Sequence, residues 1–86
     1  MGKFDDRFIQ VKSFPGYAEA EEYVRSSPLH LVAFLATNGW FAIALRGSLE
    51  HSRAISLLAG LKAESKVPED AFVTYGNTYV KKVCCN

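Results

Sequence analysis

The stretch "LHLVAFLATNGWFAIALR", residues 29–46, decides the fold. Two apolar runs flank an Asn-Gly pair, the strongest short-range signal for a β-hairpin. "LHLVAFLA" (29–36) has the length and branching of a strand, and "WFAIALR" (40–46) is its returning partner. A two-residue type I′ turn at Asn38-Gly39 would set Thr37 opposite Trp40, Leu35 opposite Ala42, Phe34 opposite Ile43 and Ala33 opposite Ala44. Alternation then gives one bulky face of Val32, Phe34, Phe41, Ile43 and Leu45, which helices must cover. The other face carries Ala33, Leu35, Ala42 and Ala44 beside the only tryptophan, Trp40.

Working outward, "RFIQVKSF" (7–14) alternates as a strand and ends at Pro15-Gly16. "YAEAEEYVRSS" (17–27) places Tyr17, Ala20 and Val24 on one helical face, with its glutamates early and Arg25 late, as a helix dipole favours. Pro28 stops it. Ser48 reads as the N-cap of a second helix, with Ala54, Leu58 and Leu61 inward, closed by Pro68. "AFVTY" (71–75) is a strand, and "TYVKKV" (78–83) is a further short strand or an ordered tail.

The expected class is therefore α+β, a ferredoxin-like βαββαβ arrangement. It has a four-stranded antiparallel sheet near 7–14, 29–36, 40–46 and 71–75, with both helices on one face and a C-terminal strand as a possible addition. Ile9 and Val11 point to the helices. Phe8, Gln10 and Lys12 share the uncovered face with Trp40, and the 29–36 strand lies at an edge. The chain is one domain, 1–86, with its core at about 7–75 and a C-terminal strand or tail at 76–86.

Composition narrows the function. A formal charge of +1 gives no electrostatic case for nucleic acid or an acidic membrane. No apolar run reaches the roughly 20 residues of a membrane span, and "MGKFDDRF" is not a signal peptide. Catalysis is not expected: His30, placed on the helix-facing side, and His51, on the second helix, have no nucleophile or carboxylate partner. Asp5-Asp6 reads as a solvated strand end. No phosphate loop or metal spacing is present, so no cofactor and no metal are expected. Cys84 and Cys85 are adjacent, a spacing that strains a disulfide, so they are expected to be unpaired and receive no role.

These residues resemble a SPOR domain, a family of bacterial peptidoglycan-binding modules. Its first motif, aromatic-x-Val-Gln-x-Gly-Ser-Phe followed by an alanine-containing helix, is matched by "FIQVKSF" and "AEAEEYV", with Gln10, Ser13 and Phe14 in place. Its second, a strand-turn beginning Asn-Gly-Trp/Tyr and leading to an alanine-rich helix, is matched by "NGWFAIALRGSL" and "SRAISLLAGLKA", with "DAFV" as the last strand. The resemblance spans roughly residues 7 to 75. It implies binding of denuded glycan strands on the open face, with Phe8, Gln10, Lys12, Ser13, Trp40 and Ala42 as ligand-binding residues and no cofactor. It also implies a place in the bacterial cell envelope or periplasm, this chain being an excised domain of a larger anchored protein; without an export signal, cytoplasm is the alternative.

An exposed aromatic ring stacks on a sugar's C–H face, and a neighbouring amide satisfies hydroxyl and N-acetyl groups. Lys12 stands in place of the motif glycine, "RGSL" in place of Gly-Pro-Phe, and Ala42 where many members carry arginine. The alternative function is protein–protein interaction or dimerisation, with a second copy or a parent-protein domain, through the same face or the edge strand. Single-stranded RNA binding is a weaker alternative, because "WFAIALRG" lacks the basic-Gly-aromatic signature of RNA-binding sheets.

Overall fold

The computed structural model describes residues 6–84. Asp5 of the acidic pair and Cys85 lie outside them. The elements run β1 (Asp6–Phe14), α1 (Tyr17–Ser26), β2 (Leu31–Ala36), β3 (Phe41–Leu45), β4 (Leu49–Glu50), α2 (His51–Ala63), β5 (Phe72–Thr74) and β6 (Tyr79–Cys84). All strand pairs are antiparallel: β2 lies between β3 and β6, and β1 pairs with β3, β5 and the two-residue β4. Gln10 pairs with both Ala44 and Phe72, so β3 and β5 flank β1 on opposite sides. The fold is α+β, with two helices and a six-stranded sheet, and is compatible with the ferredoxin-like class.

Three expectations need correction. The sheet has six strands rather than four. "TYVKKV" supplies a full strand on the outer side of β2, so β2 is not an edge. The second helix starts at His51 rather than after Ser48, because Leu49 and Glu50 are drawn into pairing with Arg7 and Asp6.

The hairpin itself differs from its expected form. Gly39 has φ of +85°, but Asn38 is not in the positive-φ region that a type I′ turn demands. Instead the Asn38 Oδ1 accepts the Trp40 N–H at 3.0 Å, an Asx-type bond that holds the residue in an ordinary conformation. Gly39 N–H donates to the Ala36 carbonyl at 3.0 Å, and Ala36 N–H to the Trp40 carbonyl at 2.9 Å. The loop is therefore three residues, Thr37 to Gly39, with glycine in the left-handed position.

One extra loop residue slips the register by one. Phe34 faces Ala42, Val32 faces Ala44 and Ala33 faces Ile43. A one-residue slip moves every side chain of a strand to the opposite face. Ala33 and Leu31 thus join Ile43, Ile9 and Val11 against Ala20 and Val24 of α1 and Ala54 and Leu58 of α2. Val32 and Phe34 go to the other side, where they form a second buried cluster with Phe8 and Ala44, packed against Tyr79. The alanines of β3 are the small partners of these two large residues.

Other residues also settle differently. Tyr17 is exposed rather than inward, its ring meeting the half-buried Phe41 edge-on at 5.7 Å. His30 is exposed, with its carbonyl accepting the Arg46 N–H. Cys84 is buried at the end of β6 and is disulfide-bonded, not unpaired.

Because both layers are packed, Phe34 is a core residue of the face that helices do not cover. Phe34→Ala is expected to lower stability by about 3–5 kcal/mol, read as a fall in the denaturant midpoint. An unchanged midpoint would return Phe34 to a solvent-facing register.

Candidate functional site

The uncovered face is closed over part of its area by the chain itself. β5 lies outside β1 and β6 outside β2, so residues 75–78 must carry the chain across the strands between. They pass on the side of Phe8. Gly76 is buried with φ of +76°, and a Cβ there would lie 2.6 Å from the Phe8 ring. Only glycine permits both the backbone conformation and the approach. Thr37 N–H donates to the Thr78 carbonyl at 2.9 Å, docking the end of the crossing on the hairpin loop.

Beyond the crossing, Tyr79 stacks on Phe34, with centroids 4.5 Å apart and planes 8° from parallel. Phe8 meets both rings nearly edge-on at 5.5 Å. Such contacts add to the area the rings bury. The Tyr79 hydroxyl donates to Gln10 Oε1 at 2.8 Å. Burial pushes the Tyr79 phenol well above the usual tyrosine range, because the phenolate would lose its hydration.

This geometry redistributes the residues expected to bind. Phe8 is 5% exposed and Ala42 3%, so both are core and offer a ligand no side-chain surface. Gln10 is half-buried, with its carbonyl oxygen engaged by Tyr79. A β-bulge lies between Gln10 and Lys12: Gln10 pairs with Ala44 but Lys12 with Ile43, leaving Val11 as the extra residue. Lys12 thereby leaves the open-face register, and Ser13 enters it opposite Ala42. Lys12 and Ser13 are exposed.

Trp40 is 45% exposed, as its place beside the turn implies. It does not sit beside Gln10. Gln10 pairs with Ala44, four residues further along, which is about 13 Å at ~3.3 Å per strand residue. The slipped register and the bulge together account for that separation.

Gln10, Lys12 and Ser13 do come together. With Asp70 and Phe72 they line a crevice of about 220 Å3, where β5 stops pairing after Gln10 and the flank of β1 is left open. Phe72 is 47% exposed and pairs directly with Gln10. It is the aromatic neighbour of the amide that sequence reading assigned to Trp40. Its signal was present in the assignment of "AFVTY" as a strand; the missing piece was its register against β1. Tyr79 was missed because "TYVKKV" was not placed against β2.

No protein-family model, curated protein or solved structure matches the chain. Among the described residues no group of three or more His, Cys, Asp or Glu is placed to hold a metal ion, and no helix is long and apolar enough to cross a membrane.

Tyr79 gives the face a pH signature. A phenol whose folded pKa is raised contributes stability fully below the unfolded pKa of about 10, and loses it as pH rises toward the folded value. An absorbance titration of the phenolates should show one tyrosine lagging the others until the protein unfolds in alkali. Tyr79→Phe should abolish the lagging phase and cost about 1 kcal/mol through the lost bond to Gln10. A lagging phase that persists in that variant would assign the buried phenol elsewhere.

Proposed function

We propose that this chain is a non-catalytic module that binds the glycan strands of peptidoglycan, as its resemblance to SPOR domains suggests. The binding track runs along β1 from Phe72 to Trp40. The supporting observation is the pair of exposed aromatics, Phe72 at 47% and Trp40 at 45%, at opposite ends of the Gln10–Phe14 segment. Phe72 pairs with Gln10, and Trp40 directly precedes Phe41, the partner of Phe14.

Between the two rings lie the polar groups a sugar polymer needs. Lys12 donates, Ser13 donates and accepts, and the Gln10 amide offers its N–H groups, its carbonyl being held by Tyr79. Two stacking platforms, offset by about 13 Å along the strands and by two strand spacings across them, suit an extended chain better than a single sugar. The middle of the sheet face, filled by Phe8, Phe34 and Tyr79, takes no part. Ferredoxin-like packing of β1, β2, β3 and β5 with both helices on one side is the finer fold reading that accompanies this function. The bacterial envelope is the compartment where such a polymer is met.

The decisive measurement is sedimentation of the domain with purified sacculi before and after amidase removal of stem peptides. Trp40→Ala and Phe72→Ala should each weaken binding to denuded sacculi about tenfold to hundredfold, since one stacked ring is worth roughly 1–3 kcal/mol by analogy with base stacking. Both side chains are about half exposed, so melting temperatures should fall far less than on truncating a core ring such as Phe34. Normal binding by the double variant would overturn the glycan reading.

A further inference from the structure

The solvent side of α2 carries a pattern that the fold itself does not use. Arg53, Leu57, Gly60 and the capping residue Glu64 recur at spacings of four, three and four, which places them on one stripe of the helix. All four are exposed, and none belongs to the pair that α2 buries, Ala54 and Leu58. Leu57 is 40% exposed, a large apolar group left in water at mid-helix. Gly60 faces open space: a Cβ built there meets no atom within 4 Å, and its φ is not positive. Glycine weakens a helix interior relative to alanine, yet neither backbone geometry nor a close contact within the chain calls for it here.

The stripe is symmetric about the midpoint between Leu57 and Gly60. Arg53 precedes Leu57 by four residues, and Glu64 follows Gly60 by four. A second α2 laid antiparallel across that midpoint sets Leu57 of each helix on Gly60 of the other. The same two-fold axis sets Arg53 of each beside Glu64 of the other. Leucine supplies a knob and the missing Cβ a hole, so the axes can close to about 8 Å, the short end of the usual range. Ser56 and Ala63, exposed beside the stripe, are too small to hold the helices apart. Arg53 has no ion pair among the described residues. Glu64 has one with Lys66 at 3.2 Å, between side chains more than half exposed, a weak pairing that leaves its second oxygen for an arginine.

We propose that α2 is a homodimerisation face, on which two copies of this chain pair antiparallel through their second helices. The charge pattern selects this occupant, because a two-fold copy brings the opposite charge to both ends of the stripe at once. One helix pair makes a small interface, so the dimer is weak and forms at raised concentration. α2 packs on the side of the sheet opposite the Phe8, Phe34 and Tyr79 cluster, so the pairing stands two sheets back to back. Such a pair carries its binding tracks on opposite sides and can bridge two polymer strands; that consequence alone rests on the glycan reading.

Sedimentation of the whole domain from about 10 μM to 1 mM, with no glycan present, should show a monomer–dimer equilibrium. Arg53→Glu and Glu64→Arg should each weaken it at least tenfold, since each sets like charges together at both ends, and rising salt should narrow the effect. An equimolar mixture of those two variants should recover the dimer, because their charges complement each other across the two-fold axis. Gly60→Leu should fill the hole and abolish the dimer. Its melting temperature at dilution should not fall, since leucine is the better helix former at an open position. A chain that stays monomeric throughout that range would overturn the proposal, as would a mixture that fails to recover the dimer. So would a dimer that Gly60→Leu leaves intact, as one formed through β6 or around Trp40 would be. None of these readouts involves sacculi, so this proposal and the glycan reading fail separately.

Discussion

The Asx bond at the hairpin tip sets the terms for the rest of the molecule. By accepting the Trp40 N–H, the Asn38 side chain stabilises a three-residue loop and leaves the positive-φ position to Gly39 alone. That choice fixes the register of β2 against β3, and with it the side of the sheet on which Phe34 and Val32 stand. Two large apolar residues on the helix-free side cannot be left in water in a small domain, since each buried side chain of this size contributes about 1.5–3 kcal/mol. The sheet therefore needs a second cover, and the segment after β5 supplies it. Gly76 makes the approach, Tyr79 stacks on Phe34, and β6 anchors the far end along β2.

Much of this architecture can be read from the chain, and the reasons for the rest are specific. Strand and helix positions follow from punctuation by Pro15-Gly16, Pro28, Asn38-Gly39 and Pro68. The inward faces of α1 and α2 follow from Ala20, Val24, Ala54 and Leu58 at helical spacing, with Tyr17 at the start of α1 the exception. Sheet faces are harder. Asn-Gly is compatible with both two- and three-residue loops, and they differ by one step of a period-two pattern. "LVAFLA" is apolar at every position, so alternation could not arbitrate. The bulge at Val11 is equally silent, and it decides whether Lys12 or Ser13 shares a face with Gln10.

The same two ambiguities explain how the expected binding residues are arranged. Their chemistry was legible: an exposed ring, an amide, a hydroxyl and a cation. Their grouping was not, because grouping depends on register across strands distant in sequence. Gln10 finds its aromatic neighbour in Phe72, more than sixty residues away along the chain. Self-coverage of the sheet centre also divides the surface. What remains accessible of that face includes the open flank of β1 beyond the end of β5 and the turn end that carries Trp40.

The crossing by residues 75–78 also bears on how the chain reaches its native state. The last strand pairs with β2, nearly fifty residues upstream, and the strand before it pairs with β1, more than sixty upstream. Contacts that distant in sequence slow folding, because long loops must close before they are rewarded. During synthesis the first helix and the hairpin can assemble early, but Phe8, Phe34 and Val32 have no lid until Tyr79 arrives. Until then the nascent domain exposes a sticky aromatic surface, the condition under which partly folded chains aggregate. A few C-terminal residues thus act as a seal applied last, and shortening the chain before Tyr79 would leave a half-finished sheet rather than a smaller stable domain.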